Sequence, residues 1–222
     1  KGEVVGVGDL DAVLKANWLC NDLGMDPISY GGTLAAAMEL YQMGIIDDKR
    51  TDMPLEFGSG EALVAMAEKT AYRQGFGNEI AEGAMRLTKK FGEPDLFMGV
   101  KGQEFAAYDA RTFQGMGLAY ATSNRGACHL KAYTISAEVF GIPEKVDPAA
   151  TEGKAELTKN FQDVTSAVDA SGLCLFLTFG ITLEDIQPEL VAATGIDYSV
   201  EDLLKVGERI FTLEKVWNLK AG

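Results

Sequence analysis

The sequence predicts an all-α, multi-helical chain, and two observations carry that prediction. Almost every segment with periodic apolar residues repeats them at intervals of three and four, the spacing that aligns one face of a helix. Those segments are also punctuated as helices are, with Asp, Ser or Thr where they start and Gly where they stop. A length of 222 residues with 47% hydrophobic content can bury a proper core in one large or two small domains. The reading places two helical subdomains, 1–95 and 96–222, divided by a stretch from Leu96 to Arg111 that has no helical period.

Taken in order, Asp9 or Asp11 caps a first helix whose apolar face runs Leu10, Val13, Leu14, Trp18 and reaches Asn21. Pro27 stops simple continuation, and Gly31-Gly32-Thr33 leads into an Ala-rich helix from Leu34 to Met43, closed by Gly44. Asp47 to Phe57, charged and aperiodic around Pro54, reads as a loop. Ser59 caps a helix to about Gln74, broken by Gly75-Phe76-Gly77. Ile80, Ala84, Leu87 and Phe91 then form one helical face that Gly92 ends before Pro94, with Lys89 and Lys90 near the negative end of the helix.

Beyond the aperiodic stretch, Thr112 to His129 is rich in Gly115, Gly117, Gly126, Ala119, Ala121 and Ala127, interspersed with Ser123, Asn124 and Arg125. Small residues there serve close helix packing or a ligand cradle equally well. After Pro143 and Pro148 a helix starts near Ala150, with Leu157, Phe161, Val164 and Val168 on one face up to Asp169. Leu175, Phe176, Leu177 and Phe179 are apolar enough for core. Thr182 with Asp185, and Ser199 with Asp202, form capping boxes; the first helix ends near Gly195, and the second carries Val206, Ile210, Leu213 and Trp217 on one face.

Composition excludes several functions. With 33 acidic against 20 basic residues and a net charge of −13, there is no basic surface for nucleic acid. No apolar run of membrane-spanning length occurs, and the sequence after Lys1 does not read as a signal peptide. Lys1 in place of Met reads as a cut or processed product. Cys20, Cys128 and Cys174 are odd in number, widely spaced and without a C-x-x-C pair, which fits a reducing cytoplasm rather than a disulfide framework. Cys20 and Cys128 read as packed thiols.

One pattern occurs twice. Asp169-Ala170-Ser171-Gly172-Leu173-Cys174 and Asn21-Asp22-Leu23-Gly24-Met25-Asp26 each place a carboxylate or amide, two spacers, glycine, a large apolar residue and a polar or ligating side chain at fixed offsets, after a helical run. Carboxylates and carboxamides bond along the edge of a flat heterocycle such as a pterin, and glycine lets backbone approach it. Two copies suit a ligand with two similar halves. The single histidine, His129, is by frequency a structural residue, yet its ring is the side chain best suited to move protons near neutrality.

Together with Gly115-Met116-Gly117-Leu118-Ala119-Tyr120, Arg125-Gly126-Ala127-Cys128-His129-Leu130 and Gly207-Glu208-Arg209-Ile210, these motifs resemble the carboxyl-terminal part of the tungsten-containing aldehyde ferredoxin oxidoreductase family, over nearly the whole chain. The resemblance implies a part of an enzyme that oxidises an aldehyde to a carboxylic acid, with ferredoxin as electron acceptor. Its cofactors would be a tungsten or molybdenum bis-pterin and a 4Fe-4S cluster. Asn21, Met25 and Asp26 would hold one pterin, Asp169, Leu173 and Cys174 the other, with Arg125 and Lys131 on the pterin and its phosphate arms. Cys174 would also be one thiolate ligand of the cluster, and His129 would orient substrate or shuttle a proton.

In this resemblance a β-rich pterin-covering domain, a three-cysteine group and a catalytic glutamate all precede position 1, so an amino-terminal domain of the same enzyme is an implied partner. The chain alone is then expected to retain neither cofactor. Asn21 stands where aspartate is usual, and Lys15 where a glutamate ligand of an interface iron is expected; a homo-oligomer remains open. Two further readings stand beside this one: a cofactor-free helical binding or regulatory module that keeps the motifs as turns, and a relative acting on a coenzyme A thioester or sugar aldehyde.

Overall fold

In the computed structural model, which describes residues 2–222, the chain is all-α apart from one two-stranded hairpin. It divides into two compact units, 1–107 and 108–222. Among the described residues no helix is long and apolar enough to cross a membrane.

The first unit contains α1 (Leu10–Asp22), α2 (Pro27–Gln42), α3 (Asp48–Thr51), α4 (Gly60–Ala71), α5 (Gly77–Ile80), α6 (Ala84–Lys90), and strands β1 (Gly99–Val100) and β2 (Gln103–Glu104), paired antiparallel. Asp9 caps α1 by accepting from the amides of Asp11 and Ala12, but the helix faces the other way from the expectation. Leu10, Leu14 and Trp18 are exposed, while Ala16, Leu19 and Cys20 enter the core. The smaller residues win because α1 packs closely on α4, where Ala12 lies 2.9 Å from where a Cβ on Gly60 would be. The Lys15 ammonium sits 4.4 Å above the Trp18 ring.

Helix α2 begins at Pro27 and runs through Gly31-Gly32, seven residues earlier than expected, because proline at the first helical position is a start signal. The glycines make room rather than break the helix: a Cβ on Gly32 would lie 3.1 Å from Glu104. Buried Glu104 accepts from the Thr33 hydroxyl at 3.3 Å and from the Ala84 amide at 2.8 Å. The hairpin thereby seats a carboxylate on the start of α6. Gly83, at φ +84°, splits the predicted helix into α5 and α6, yet Ile80, Ala84 and Leu87 remain buried together. The expected loop after Asp47 holds one short helical turn, capped by the Asp47 side chain.

The second unit contains α7 (Gln114–Thr122), a π-helical turn over Ser136–Phe140, α8 (Lys154–Ala170), a 3-10 turn over Leu175–Phe179, α9 (Leu183–Thr194) and α10 (Val200–Ala221). Both capping boxes form, and Gly195 ends α9. Helices α8 and α10 cross closely: a Cβ on Gly207 would lie 1.9 Å from the Asp163 carbonyl oxygen. The buried face of α8 is polar, with Lys154, Thr158, Gln162, Asp163, Thr165 and Ser166 preceding Ala167 and Val168. Of the stripe expected as core, Val168 is buried and Val164 packs against it, while Leu157 and Phe161 are half-buried; all four line a cavity of about 450 Å³ with Ile142, Leu175 and Leu204.

Glu138 explains the buried polar face at the start of α8. Its carboxylate is fully enclosed and accepts from Lys154 Nζ at 2.6 Å, Thr134 Oγ1 at 2.9 Å, and the amides of Gly115 at 2.8 Å and Met116 at 3.2 Å. One buried acceptor thus joins the starts of α7 and α8, with Gly115 admitting it because a Cβ there would come within 3.1 Å of the carboxylate. For Gly115 the small residue serves packing. Two expected core groups are not buried. Phe176, Leu177 and Phe179 are exposed on the 3-10 turn, and Leu213 and Trp217 are exposed on α10.

Candidate functional site

Each six-residue motif turns out to be the same piece of backbone. Positions one and two end a helix, position three is the C-cap, the glycine is left-handed at φ +73° in Gly24 and +79° in Gly172, and position six starts the next helical element. Asp26 and Cys174 have nearly the same conformation, φ −70°, ψ 116° against φ −71°, ψ 128°. A Cβ on either glycine would meet nothing within 4 Å, so conformation, not crowding, requires glycine there.

The side chains on the two turns are spent differently. In the first unit, Asn21 donates its Nδ2 to the Asn17 carbonyl oxygen at 2.9 Å, which fixes the amide and leaves Oδ1 as an exposed acceptor. Met25 is half-buried against the core. Asp26 caps α2, accepting from the amides of Ile28 at 3.2 Å and Ser29 at 3.1 Å. In the second unit, Asp169 Oδ2 accepts from Lys131 Nζ at 3.1 Å, and Oδ1 has no hydrogen-bond partner among the described residues. Leu173 and Cys174 are exposed, and the Cys174 thiol caps nothing. The two copies therefore present an amide or carboxylate oxygen at position one, and a committed carboxylate or an uncommitted thiol at position six.

Lys131 is the buried cation of the second site. Its ammonium lies 3.1 Å from Asp169 and 3.7 Å from Glu214, with the side chain 9% exposed. Glu214 belongs to α10 and was not legible as a site residue, since its partners are more than eighty residues away. The same carboxylate accepts from Asn124 Nδ2 at 3.2 Å, and Asn124 also bonds the Phe211 carbonyl at 3.0 Å. The small-residue segment after α7 is in this way pinned to α10. Arg125 is exposed and gives one Nη2 proton to Cys128 Sγ at 3.0 Å. Cys128 is buried as expected of a small apolar group, but it is also an acceptor.

His129 is half-buried among tyrosines that the sequence did not single out. Its ring centre lies 5.7 Å from Tyr108 and 6.1 Å from Tyr133, and the two tyrosine hydroxyls are 2.8 Å apart. Tyr133 packs edge-on to Phe179 at 5.9 Å and forms part of the cavity wall. Burial, and secondarily the bond to Tyr108, raises the Tyr133 phenol above its ordinary range; burial does the same for Tyr120. Tyr133 follows His129 by four residues, but the segment is not helical, so no periodic signal revealed it.

The donor set fits a pterin and one corner of an iron–sulfur cluster. Exposed oxygens of Asn21 and Asp169 flank open backbone at left-handed glycines, and an exposed thiol follows one of them. Among the described residues no three His, Cys, Asp or Glu side chains are grouped to hold a metal. Cys20 and Cys128 are buried, and Cys174 is exposed.

Comparison with known proteins identifies the family of the chain. A family described as aldehyde ferredoxin oxidoreductase, domains 2 and 3, matches residues 1–222. The chain is 48% identical over 224 residues to a tungsten-containing aldehyde ferredoxin oxidoreductase of Pyrococcus furiosus, and 47% over 224 residues to that of Thermococcus kodakarensis. It is 26% identical over 230 residues to an aliphatic sulfonate oxidoreductase, WOR-like subunit, of P. furiosus. All of the chain is covered in each case, but it spans only 37% of the first two relatives and 34% of the third. The chain belongs to the aldehyde ferredoxin oxidoreductase family, as its domains 2 and 3.

Proposed function

We propose that this chain is the carboxyl-terminal part of an enzyme that oxidises an aldehyde, with water, to a carboxylic acid and passes the electrons to ferredoxin. The observation that carries the proposal is the matched pair of turns at 21–26 and 169–174, which repeat one backbone shape while presenting an oxygen acceptor at each first position. Each turn by itself offers an acceptor beside open backbone to one half of a ligand with two like halves. When bound, a tungsten bis-pterin supplies the redox chemistry at the aldehyde carbon and a 4Fe-4S cluster the route for single electrons.

The residues of the chain have separable tasks. Asn21 and Asp169 accept from the donor edges of the heterocycles, and Gly24 and Gly172 keep Cβ atoms off the approach. Lys131 holds the Asp169 carboxylate in place and supplies positive charge toward anionic groups, as does Arg125. Cys174 gives the cluster a soft thiolate, and no cap hydrogen bond has to be broken for it to do so. His129 accepts or returns a proton as water and aldehyde become acid. Aldehyde selectivity belongs to the walls around His129, and ferredoxin and the amino-terminal domain are the implied partners.

The test uses the whole enzyme, expressed anaerobically, with tungsten and iron analysis and aldehyde-dependent reduction of ferredoxin. Cys174→Ser is expected to lower iron content or alter the low-temperature electron paramagnetic resonance of the cluster, because a hydroxyl is a poorer, harder ligand for iron. The thermal midpoint should change little, since the thiol is exposed and caps nothing. An unchanged cluster signal in that variant would mean that Cys174 is only a turn residue.

A further inference from the structure

The first side chains of the two turns each tie up one atom and leave the other open, but by different means. Asn21 is an amide, with one nitrogen that donates and one oxygen that accepts, so its bond to the Asn17 carbonyl spends the nitrogen and cannot spend Oδ1. Asp169 is a carboxylate with two equivalent acceptor oxygens. An ammonium carries three donors on a flexible stem, and a lysine left alone with such a carboxylate can settle between both oxygens. Lys131 does not. It bonds Oδ2 at 3.1 Å, and Oδ1 has no hydrogen-bond partner among the described residues. The same ammonium lies 3.7 Å from Glu214 Oε1, a second carboxylate that competes for it.

We propose that Glu214 is a positioning residue of the second turn: by sharing the Lys131 ammonium it keeps that cation on one oxygen of Asp169, and the other oxygen stays open to accept from the heterocycle. The proposal rests on the pterin-holding reading of the turns given above. Glu214 is itself fixed. Its Oε2 accepts from Asn124 Nδ2 at 3.2 Å while Oε1 is the atom nearest Lys131, so each oxygen has its own partner. Asn124 Nδ2 also bonds the Phe211 carbonyl oxygen at 3.0 Å, and the Asn124 carbonyl accepts from Asn218 Nδ2 at 2.7 Å. Asn124 Oδ1, by contrast, is enclosed and has no hydrogen-bond partner among the described residues. An unpaired buried acceptor costs stability. Here it follows from an amide turned to give its protons to α10, Glu214 included. The Lys131 side chain is only 9% exposed, so water competes weakly with the two carboxylates for its charge.

The experiment compares Glu214→Gln, Lys131→Met and the double variant in the cofactor-loaded whole enzyme. An amide at this place has a single acceptor oxygen and serves Asn124 or Lys131, not both. Glu214→Gln is expected to speed the release of pterin on warming by about 10-fold, the lower end of what the outer partner of a ligand-holding group is worth. The thermal midpoint of the cofactor-free protein should stay near wild type, because the Glu214 side chain is 38% exposed. Lys131→Met should speed release as well, and the double variant should release pterin no faster than Lys131→Met, because Glu214 acts only through Lys131. Effects that multiply, unchanged release in Glu214→Gln, or a midpoint lowered along with it would overturn the proposal. Crystal structures of the wild type and of Glu214→Gln give a readout that needs no cofactor: Lys131 Nζ should bond one Asp169 oxygen in the wild type and bridge both in the variant. If the wild-type enzyme holds no pterin, the reading of the turns fails, while that shift of Lys131 still supports the positioning role. Any other placement of Lys131 in the variant rejects it.

Discussion

His129→Ala in the whole enzyme is expected to lower aldehyde turnover by roughly 100- to 10,000-fold, the range for loss of a positioned acid–base group, while tungsten and iron content stay near wild type. The expectation rests on where the ring sits. It is half-buried against the rings of Tyr108 and Tyr133, and the chain has no second imidazole to take over. His129 is not among the residues proposed above to hold the cofactor or the cluster, so cofactor loading and proton handling should separate. Steady-state kinetics with metal analysis on the same preparation decide the point. A variant with normal metal content and undiminished aldehyde oxidation would remove His129 from the reaction.

Glu138→Ala should destabilise the second unit by about 3–5 kcal/mol, the cost of leaving a buried charge without its partner. Four donors lose their acceptor at once: the Lys154 ammonium, the Thr134 hydroxyl and the amides that open α7. Lys154 cannot easily turn to solvent, because its side chain is only 5% exposed. Denaturant unfolding followed by circular dichroism measures the loss. Adding Lys154→Met to the alanine variant should recover part of it, since the stranded charge is the largest component. If the double variant is as unstable as the sum of the two single ones, the ion pair is not the reason for the instability.

What could be read from sequence was local. Asp9, Ser59, Thr182 with Asp185, and Ser199 with Asp202 announce helix starts because a cap needs only the next three residues. The paired motifs were legible for the same reason, as a helix end, a left-handed glycine and a new start lie within six residues. Partners remote in sequence were not. Nothing near Lys154 says that Glu138 will bury it, so the buried polar face of α8 was missed, while of the expected apolar stripe Val168 is in the core and Leu157 and Phe161 are only half-buried. Glu104 likewise reaches Thr33 and Ala84 across long separations, and Gly32, read as part of the lead into the Leu34–Met43 helix, lies inside α2 and makes room for that side chain. Tyr108, Tyr133 and Glu214 were missed because only the folded chain brings them to His129 and Lys131.

The orientation of the two tryptophans gives the polypeptide a built-in optical signal. Trp18 on α1 and Trp217 on α10 are the only indoles in the chain, one to each unit, and both point outward, 53% and 72% exposed. Their emission therefore reports the hydration of two surfaces rather than the integrity of two cores. Unfolding moves such fluorophores from water to water and changes their colour little, whereas any protein surface that comes to lie over α1 or the end of α10 displaces water from an indole and shifts it to the blue. With Trp18→Phe or Trp217→Phe as single-fluorophore versions, assembly on either helix can be followed separately, in a chain whose folding is nearly silent at the same wavelength.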